Sequence, residues 1–305
     1  MRLNVATCQF PVSDAVESNL DHVLRLMRDA GAAGADVAHF PEACLPGYPP
    51  NDRDSYDGFD WEVLKRATER VMAEAAALEL WTVLGSAHRL SGDNKPHNCL
   101  YFIDDRGRIV DRYDKRFLSG DRSGQTGDLR HFSPGDHFSA VSIKGVRCGA
   151  LICVDCRYPE LYRAYKRLGV DLVFHSFNAA HLDEEEWSAI EAAIGTENHP
   201  FNPATTYPGI TQPAMMHAAA GSNHLWISCA NSCAWHSCWP SFFVRSDGVA
   251  TGRLAPHQPG LLLSTVDTEE RHYDSTIAWR DRAMSGVLHS GELVRDPRSG
   301  DRTRI

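Results

Sequence analysis

Three residues combine a reactive side chain with a position at the end of an apolar run. Glu42 follows Val37-Ala38-His39-Phe40-Pro41, Lys115 follows Ile109-Val110-Asp111-Arg112-Tyr113-Asp114, and Cys153 follows Gly149-Ala150-Leu151-Ile152. Buried strands hold the residues at their ends rigidly, and α/β proteins place their chemistry there. An acid, an ammonium and a thiol would converge if these strands are neighbours in one sheet. Taken singly, each residue is ordinary. An acid after a strand commonly occupies a solvated turn. A lysine among Asp111, Arg112, Asp114 and Arg116 is commonly a surface charge. A cysteine in an apolar strand is commonly inert core.

The elements that must position these groups alternate from the first residue, which indicates α/β layering. Leu3 to Phe10 reads as a buried strand. Leu20, Val23, Leu24 and Met27 recur at helical spacing, with Gly31 and Gly34 closing the helix. Asp36 to Phe40 is the next strand. Asp60 can cap a helix that carries Leu64, Ala67, Val71, Ala75 and Leu78 on one face. Strands follow at Trp81–Ser86, Cys99–Ile103 and Ile109–Tyr113, the last two joined by the turn Asp104-Asp105-Arg106-Gly107. The run Val146 to Val154 is strand-like. A helix over Pro159–Leu168 then starts on a proline suited to a first turn and stops at Gly169. Val170–Phe174 is a further strand. Helices are expected at Asp183–Ile194 and Pro213–Asn223, separated by a turn-rich stretch from Gly195 to Gly209. Strands close the domain at Leu225–Ala230, Ser241–Arg245, Val249–Leu254 and Leu261–Val266.

The 305 residues carry 31 Lys+Arg against 40 Asp+Glu, a formal charge of −9. That balance argues against nucleic acid or an anionic membrane surface as a partner, since both reward a basic face. No apolar run approaches the roughly 20 residues of a membrane span, and the opening Met1-Arg2-Leu3-Asn4-Val5-Ala6 lacks the apolar stretch of a signal peptide. The nine cysteines, several in apolar runs, fit a reducing, cytoplasmic setting. No G-x-S-x-G elbow, phosphate-binding G-x-x-x-x-G-K-[ST] loop or H-E-x-x-H helix occurs.

The segments Phe40-Pro41-Glu42, Tyr113-Asp114-Lys115 and Gly149-Ala150-Leu151-Ile152-Cys153-Val154-Asp155-Cys156-Arg157-Tyr158-Pro159-Glu160 resemble the nitrilase superfamily of carbon–nitrogen hydrolases. They fall in the family's order of Glu, Lys, Cys. Phe132-Ser133-Pro134-Gly135, Ile227-Ser228-Cys229-Ala230-Asn231 and Ser246-Asp247-Gly248 extend the resemblance over about residues 1 to 280. It implies a four-layer α-β-β-α sandwich of the nitrilase type spanning 1–280. The tail, 281–305, and the helix after the cysteine would meet a second subunit in a homodimer or larger assembly. It further implies that Glu42 accepts the thiol proton, that Cys153 forms a thioester, and that Lys115 with the backbone N–H of Val154 stabilises the oxyanion. The family's second glutamate falls on Asp128 here, one methylene shorter. Tyr48, Phe177 and Asn178 are the candidate substrate-binding residues, and neither a cofactor nor a metal is required.

Nitrile-cleaving members usually carry Trp-Glu after the cysteine. The pair Val154-Asp155 is closer to the amidase and carbamoylase branches, so a small amide or N-carbamoyl (ureido) substrate is expected ahead of a nitrile. The connection from 175 to 224 looks longer than is usual in the family, and would form either a lid or a narrower pocket, or else a surface embellishment or a subunit contact. Two alternatives stand beside this reading. Cys153 and Cys156 form a C-x-x-C pair that could be a redox dithiol or half of a zinc site completed by Cys229, Cys233, His236 and Cys238. The chain could also be a catalytically silent relative that binds a metabolite or a partner protein.

Overall fold

The computed structural model describes residues 1–303. Its elements in chain order begin β1 (Arg2–Gln9), α1 (Val16–Ala32), β2 (Val37–His39), α2 (Trp61–Leu78), β3 (Trp81–His88), β4 (His97–Ile103) and β5 (Ile109–Asp114). There follow β6 (Val141–Ile143), β7 (Val146–Ile152), α3 (Pro159–Arg167), β8 (Leu172–Phe177), α4 (Glu184–Ile194), α5 (Tyr207–Asn223) and β9 (Trp226–Asn231). The chain closes with β10 (Phe242–Val244), β11 (Ala250–Arg253), β12 (Gly260–Asp267) and the short helices α6 (Arg280–Met284) and α7 (Pro297–Gly300).

The strands form two six-stranded sheets, ordered β12-β1-β2-β3-β4-β5 and β11-β10-β9-β8-β7-β6. Within each, three central strands run parallel: Val5 lies opposite Val37 and Val37 opposite Trp81, while Ile152 lies opposite Ser176 and Phe177 opposite Asn231. Parallel strands need crossovers, and the crossover helices cover the outer faces. The buried stripe of α1 (Leu20, Val23, Leu24, Met27) and that of α2 (Leu64, Ala67, Val71, Ala75) pack on the first sheet. On the second sheet lie Leu161, Tyr162 and Tyr165 of α3 with Met216, Ala219 and Ala220 of α5. Between the sheets, Leu3, Val5, Val37, Leu100 and Phe102 meet Leu172, Phe174 and Ile227. The result is the expected α-β-β-α sandwich.

Local chemistry sets most boundaries. Asp60 caps α2, its carboxylate accepting the N–H groups of Glu62 and Val63. Gly34, with φ +78°, closes the turn after α1, which runs on past Gly31. The expected start of α5 at Pro213 is corrected to Tyr207. Thr206 caps it by accepting the N–H of Gly209, Pro208 occupies the first turn, and Pro213 is carried inside. The strand after the cysteine helix reaches Phe177 rather than Phe174, and β7 stops at Ile152, just before Cys153.

Candidate active site

Glu42 sits beyond β2 on a loop that β3 approaches closely. A Cβ at Gly85 would fall 1.9 Å from the Pro41 carbonyl oxygen and 2.9 Å from the Ala43 nitrogen, so only glycine admits this contact. The Glu42 N–H donates to the Phe177 carbonyl at 3.2 Å, and its Oε2 accepts the Asn178 N–H at 3.0 Å. Its Oε1 accepts both Asn98 Nδ2 and Lys115 Nζ at 2.7 Å. The glutamate belongs to the first sheet and is clasped by the end of β8 in the second.

Lys115 follows β5, held by its N–H to the Asn98 carbonyl (2.8 Å) and by its own carbonyl to the Gly135 N–H (2.9 Å). Gly135 is required there as well, because a Cβ would come within 2.4 Å of Asp114 Cβ. Besides Glu42, Nζ donates to Asp128 Oδ2 at 2.8 Å, and all three side chains are fully buried. The ammonium also lies 5.6 Å from the Tyr48 ring centroid. Asp128, one methylene shorter than a glutamate, reaches the lysine from the 3-10 turn Gly127–Arg130. That turn is tied back by the Asp128 N–H to Ser119 Oγ and the Ser119 N–H to Asp128 Oδ2, both 3.0 Å. Tyr48 donates its hydroxyl to Asp128 Oδ1 at 2.6 Å.

Cys153 opens the 3-10 turn Cys153–Arg157 at the end of β7, with φ +45°, a left-handed backbone that side chains rarely adopt. Asp155 fixes that turn. Its carboxylate accepts the N–H of Ile152 (3.0 Å), the N–H of Phe117 (3.0 Å) and the Tyr113 hydroxyl (2.8 Å), which locks the cysteine turn to the lysine loop. The strands carrying the three groups are therefore not neighbours in one sheet, as their convergence seemed to require. β2 and β5 are in the first sheet and β7 in the second.

The electrostatics follow from burial and neighbours. Burial raises the Glu42 carboxyl above its usual range, only partly opposed by Lys115. For Asp128 the burial penalty is outweighed by Lys115 and by donation from Tyr48 and Ser119, so its carboxyl lies below the usual range. Burial alone would favour a neutral Lys115, but the charges of Asp128 and Glu42 win and hold it as an ammonium. The Cys153 thiol, which keeps some exposure, is pushed well up by burial and then by the Glu42 charge, against Lys115. At rest the site holds a neutral thiol beside a carboxylate of raised basicity.

The residues expected as substrate contacts divide. Tyr48 and Asn178 are at the charged cluster. Asn178 Nδ2 donates to Asp52 Oδ2 at 2.7 Å, which leaves its buried Oδ1 without a partner. The Phe177 ring is instead enclosed by His175 (4.4 Å between centroids) and Trp239 (4.8 Å), and its carbonyl is what meets Glu42. Sequence reading missed Asn98, which lies just before the expected strand Cys99–Ile103, and Asp52, which lies between two expected elements. It also missed a chain of hydroxyls through the sandwich. Ser176 Oγ donates to the Phe40 carbonyl (2.8 Å), His39 joins Ser176 to Ser228 (2.8 Å each), and Ser228 meets Thr7 (2.7 Å). Polar His39 and Ser228 inside expected strands, with Ser176 just beyond another, were the available signal.

The C-x-x-C alternative does not find its ligands. The Cys156 thiol donates to the Met215 sulfur, that of Cys229 points back to the Ile227 carbonyl, and His236 bonds Glu184. Among the described residues no three His, Cys, Asp or Glu side chains are grouped to hold a metal ion. No described helix is long and apolar enough to cross a membrane. The 175–224 connection holds β8's end, α4 and α5, and no residue of α4 is fully buried.

Comparison with known proteins places this geometry. A sequence model for carbon–nitrogen hydrolases matches residues 4–272. Nitrilase homolog 2 of Dictyostelium discoideum is 24% identical over 217 residues, covering 66% of this chain and 65% of that protein. Deaminated glutathione amidase of Bos taurus is 28% identical over 179 residues, 55% of this chain and 53% of that protein. The chain thus spans about half to two thirds of the length of these relatives. In structure, an amidase from Nesterenkonia sp. superposes with a TM-score of 0.70 at 22% identity, covering 94% of this chain and 96% of that one. A glutamate-to-glutamine mutant of the amidase from Nesterenkonia sp. AN1, TM-score 0.68 at 22% identity and covering 87% of this chain and 90% of that one, carries the acetamide moiety of fluoroacetamide covalently added at its active-site cysteine.

Proposed function

The chain belongs to the carbon–nitrogen hydrolase family, and from that premise we propose that it hydrolyses a small amide or N-carbamoyl compound through a thioester on Cys153. Glu42 takes the thiol proton as Sγ attacks the carbonyl carbon, and the carbonyl oxygen becomes an oxyanion held by Lys115 Nζ and the Val154 N–H. Collapse breaks the C–N bond, and the leaving amine carries away the proton from Glu42. A water that gives its proton to Glu42 then adds to the thioester. The acid is released and the proton returns to the sulfur. The observation that carries this reading is the doubly bonded Lys115 ammonium, fixed at 2.7 Å from Glu42 and 2.8 Å from Asp128 with their charges acting on the Cys153 thiol.

The pair Val154-Asp155, standing where nitrile-cleaving members usually carry Trp-Glu, favours an amide or ureide over a nitrile. The names of relatives such as deaminated glutathione amidase agree with that choice. Nine free cysteines suit the cytoplasm. We further assign 1–280 to the hydrolase domain and 281–305 to a tail that meets a second copy of the chain, Arg304 and Ile305 lying outside the described residues. The exposed Leu288, Leu293 and Val294 support that assignment.

The test is intact-mass analysis after exposure to a panel of aliphatic amides and ureides. An acyl adduct on the wild-type chain that is absent from Cys153→Ala is expected, with turnover abolished in the variant and its thermal midpoint unchanged. Turnover surviving in Cys153→Ala would overturn the reading.

A further inference from the structure

His175 lies in the middle of β8, fully buried, and both ring nitrogens have partners. Nε2 is 3.2 Å from the carbonyl oxygen of Cys153, and Nδ1 is 2.9 Å from the Tyr162 hydroxyl of α3. A carbonyl can only accept, so Nε2 carries the proton and Nδ1 receives the Tyr162 O–H. The same hydroxyl also lies 3.5 Å from the Met216 sulfur, the weaker acceptor of the two. The ring stacks on Phe177 at 16° between planes, which fixes its orientation. Burial, reinforced by the Lys115 charge, lowers its pKa to about 3, so the ring stays neutral with one defined tautomer.

The carbonyl it holds belongs to the Cys153–Val154 peptide. That peptide is planar and trans, so its C=O and N–H point to opposite sides. We propose that His175 is the positioning residue of the oxyanion site: by holding the Cys153 carbonyl, its Nε2–H turns the Val154 N–H toward the oxyanion. The left-handed backbone at Cys153 needs such a restraint, because φ +45° is a conformation a cysteine does not keep unaided. Hydrogen bonding at the carbonyl also polarises the amide and strengthens its N–H as a donor. Tyr162 acts one step further out by fixing the tautomer. The inference rests on the reading of Cys153 as nucleophile and of the Val154 N–H as oxyanion donor.

Three measurements on the intact chain separate the possibilities. Amide hydrolysis passes through an oxyanion. An aldehyde of the same acyl group takes up Cys153, the thiol adding across C=O to form a C–S bond and an O–H, and it uses the same donor. Iodoacetamide alkylates the sulfur by displacing iodide, the thiol proton leaving to solvent, with no oxyanion at all. In His175→Phe, which keeps the ring stack, kcat falls about tenfold to a hundredfold, less than the roughly 10²–10³ for outright loss of a donor. Aldehyde affinity falls in parallel, while KM and the alkylation rate stay within about twofold. His175→Gln, whose amide can donate to the carbonyl, restores most of kcat. Should His175→Phe not fold, Tyr162→Phe serves in its place, with a loss of a few fold in kcat and none in alkylation. Unchanged kcat, an alkylation rate that falls with it, or no rescue by Gln overturns the proposal. A wild-type chain that is alkylated at Cys153 yet hydrolyses no amide and binds no aldehyde instead overturns the hydrolase reading, and this one with it.

Discussion

The cluster of Glu42, Lys115 and Asp128 and the excursion through α4 lie one loop apart and are built on opposite terms. In the cluster every charge is fully buried and every carboxylate oxygen is bonded. α4 has no fully buried residue, and the chain beyond it exposes Phe201 and Tyr207. The excursion is tied to the body by backbone exchange between Leu182 and His236 (3.4 Å in both directions) and by His236 to Glu184 (2.8 Å). Buried charges without water to compensate them have one satisfactory arrangement, whereas exposed hydrogen bonds can be exchanged for solvent at little cost. Chemistry sits where alternatives are expensive.

Lys115→Met should strain this contrast most. It leaves two carboxylates unpaired in the interior, a loss of about 3–5 kcal/mol for a broken buried pair, and on the proposed mechanism it removes an oxyanion donor worth roughly 10²–10³ in kcat. Denaturant titration and steady-state kinetics would both register it. A variant altered in KM alone would mean that the lysine binds substrate without assisting the chemical step.

Acidification comes next. On the proposed mechanism Glu42 must be ionised to accept the thiol proton, and burial raises its pKa. The acid limb of kcat/KM therefore lies above the range of a free glutamate, and activity falls about tenfold per unit below it. A limb at an ordinary carboxyl value would show that Lys115 neutralises the effect of burial.

Gly85→Ala tests the cluster's surroundings. The added methyl must displace the Pro41 carbonyl, and overpacking of this kind costs about 1–3 kcal/mol. Because that carbonyl belongs to the residue before Glu42, turnover should fall more than the thermal midpoint suggests. The smallest effect belongs to the excursion. Glu184→Ala, at 84% side-chain exposure, should change stability by no more than about 0.5 kcal/mol, read by thermal melting. A large loss of turnover there would make α4 a working lid and collapse the distinction.

How much of this was legible depends on whether a residue's role is local. The Asp60 cap, the Gly107 turn and the apolar stripes of α1 and α2 are decided within a few residues, and they were readable. Glu42, Lys115 and Cys153 were visible as polar endings to apolar runs, but their spacing could not show that two sheets share them. Asp128 looked too short until the 3-10 turn beneath it supplied the missing reach. Asn98, Asp52 and His175 were opaque because their meaning lies in partners 56, 126 and 22 residues away. The start of α5 was missed because Pro213 looks like a beginning when the Thr206 cap is overlooked.

Glu42 is contributed by one sheet and Cys153 by the other, with His39 bolting the layers together just behind them. The proposed base and nucleophile thus stay in register only while the seam between the layers is shut. Pressure or mild urea that loosens that seam by a fraction of a bond length would silence the molecule while both halves still gave a native circular-dichroism spectrum, so catalytic rate is the finer gauge of its integrity.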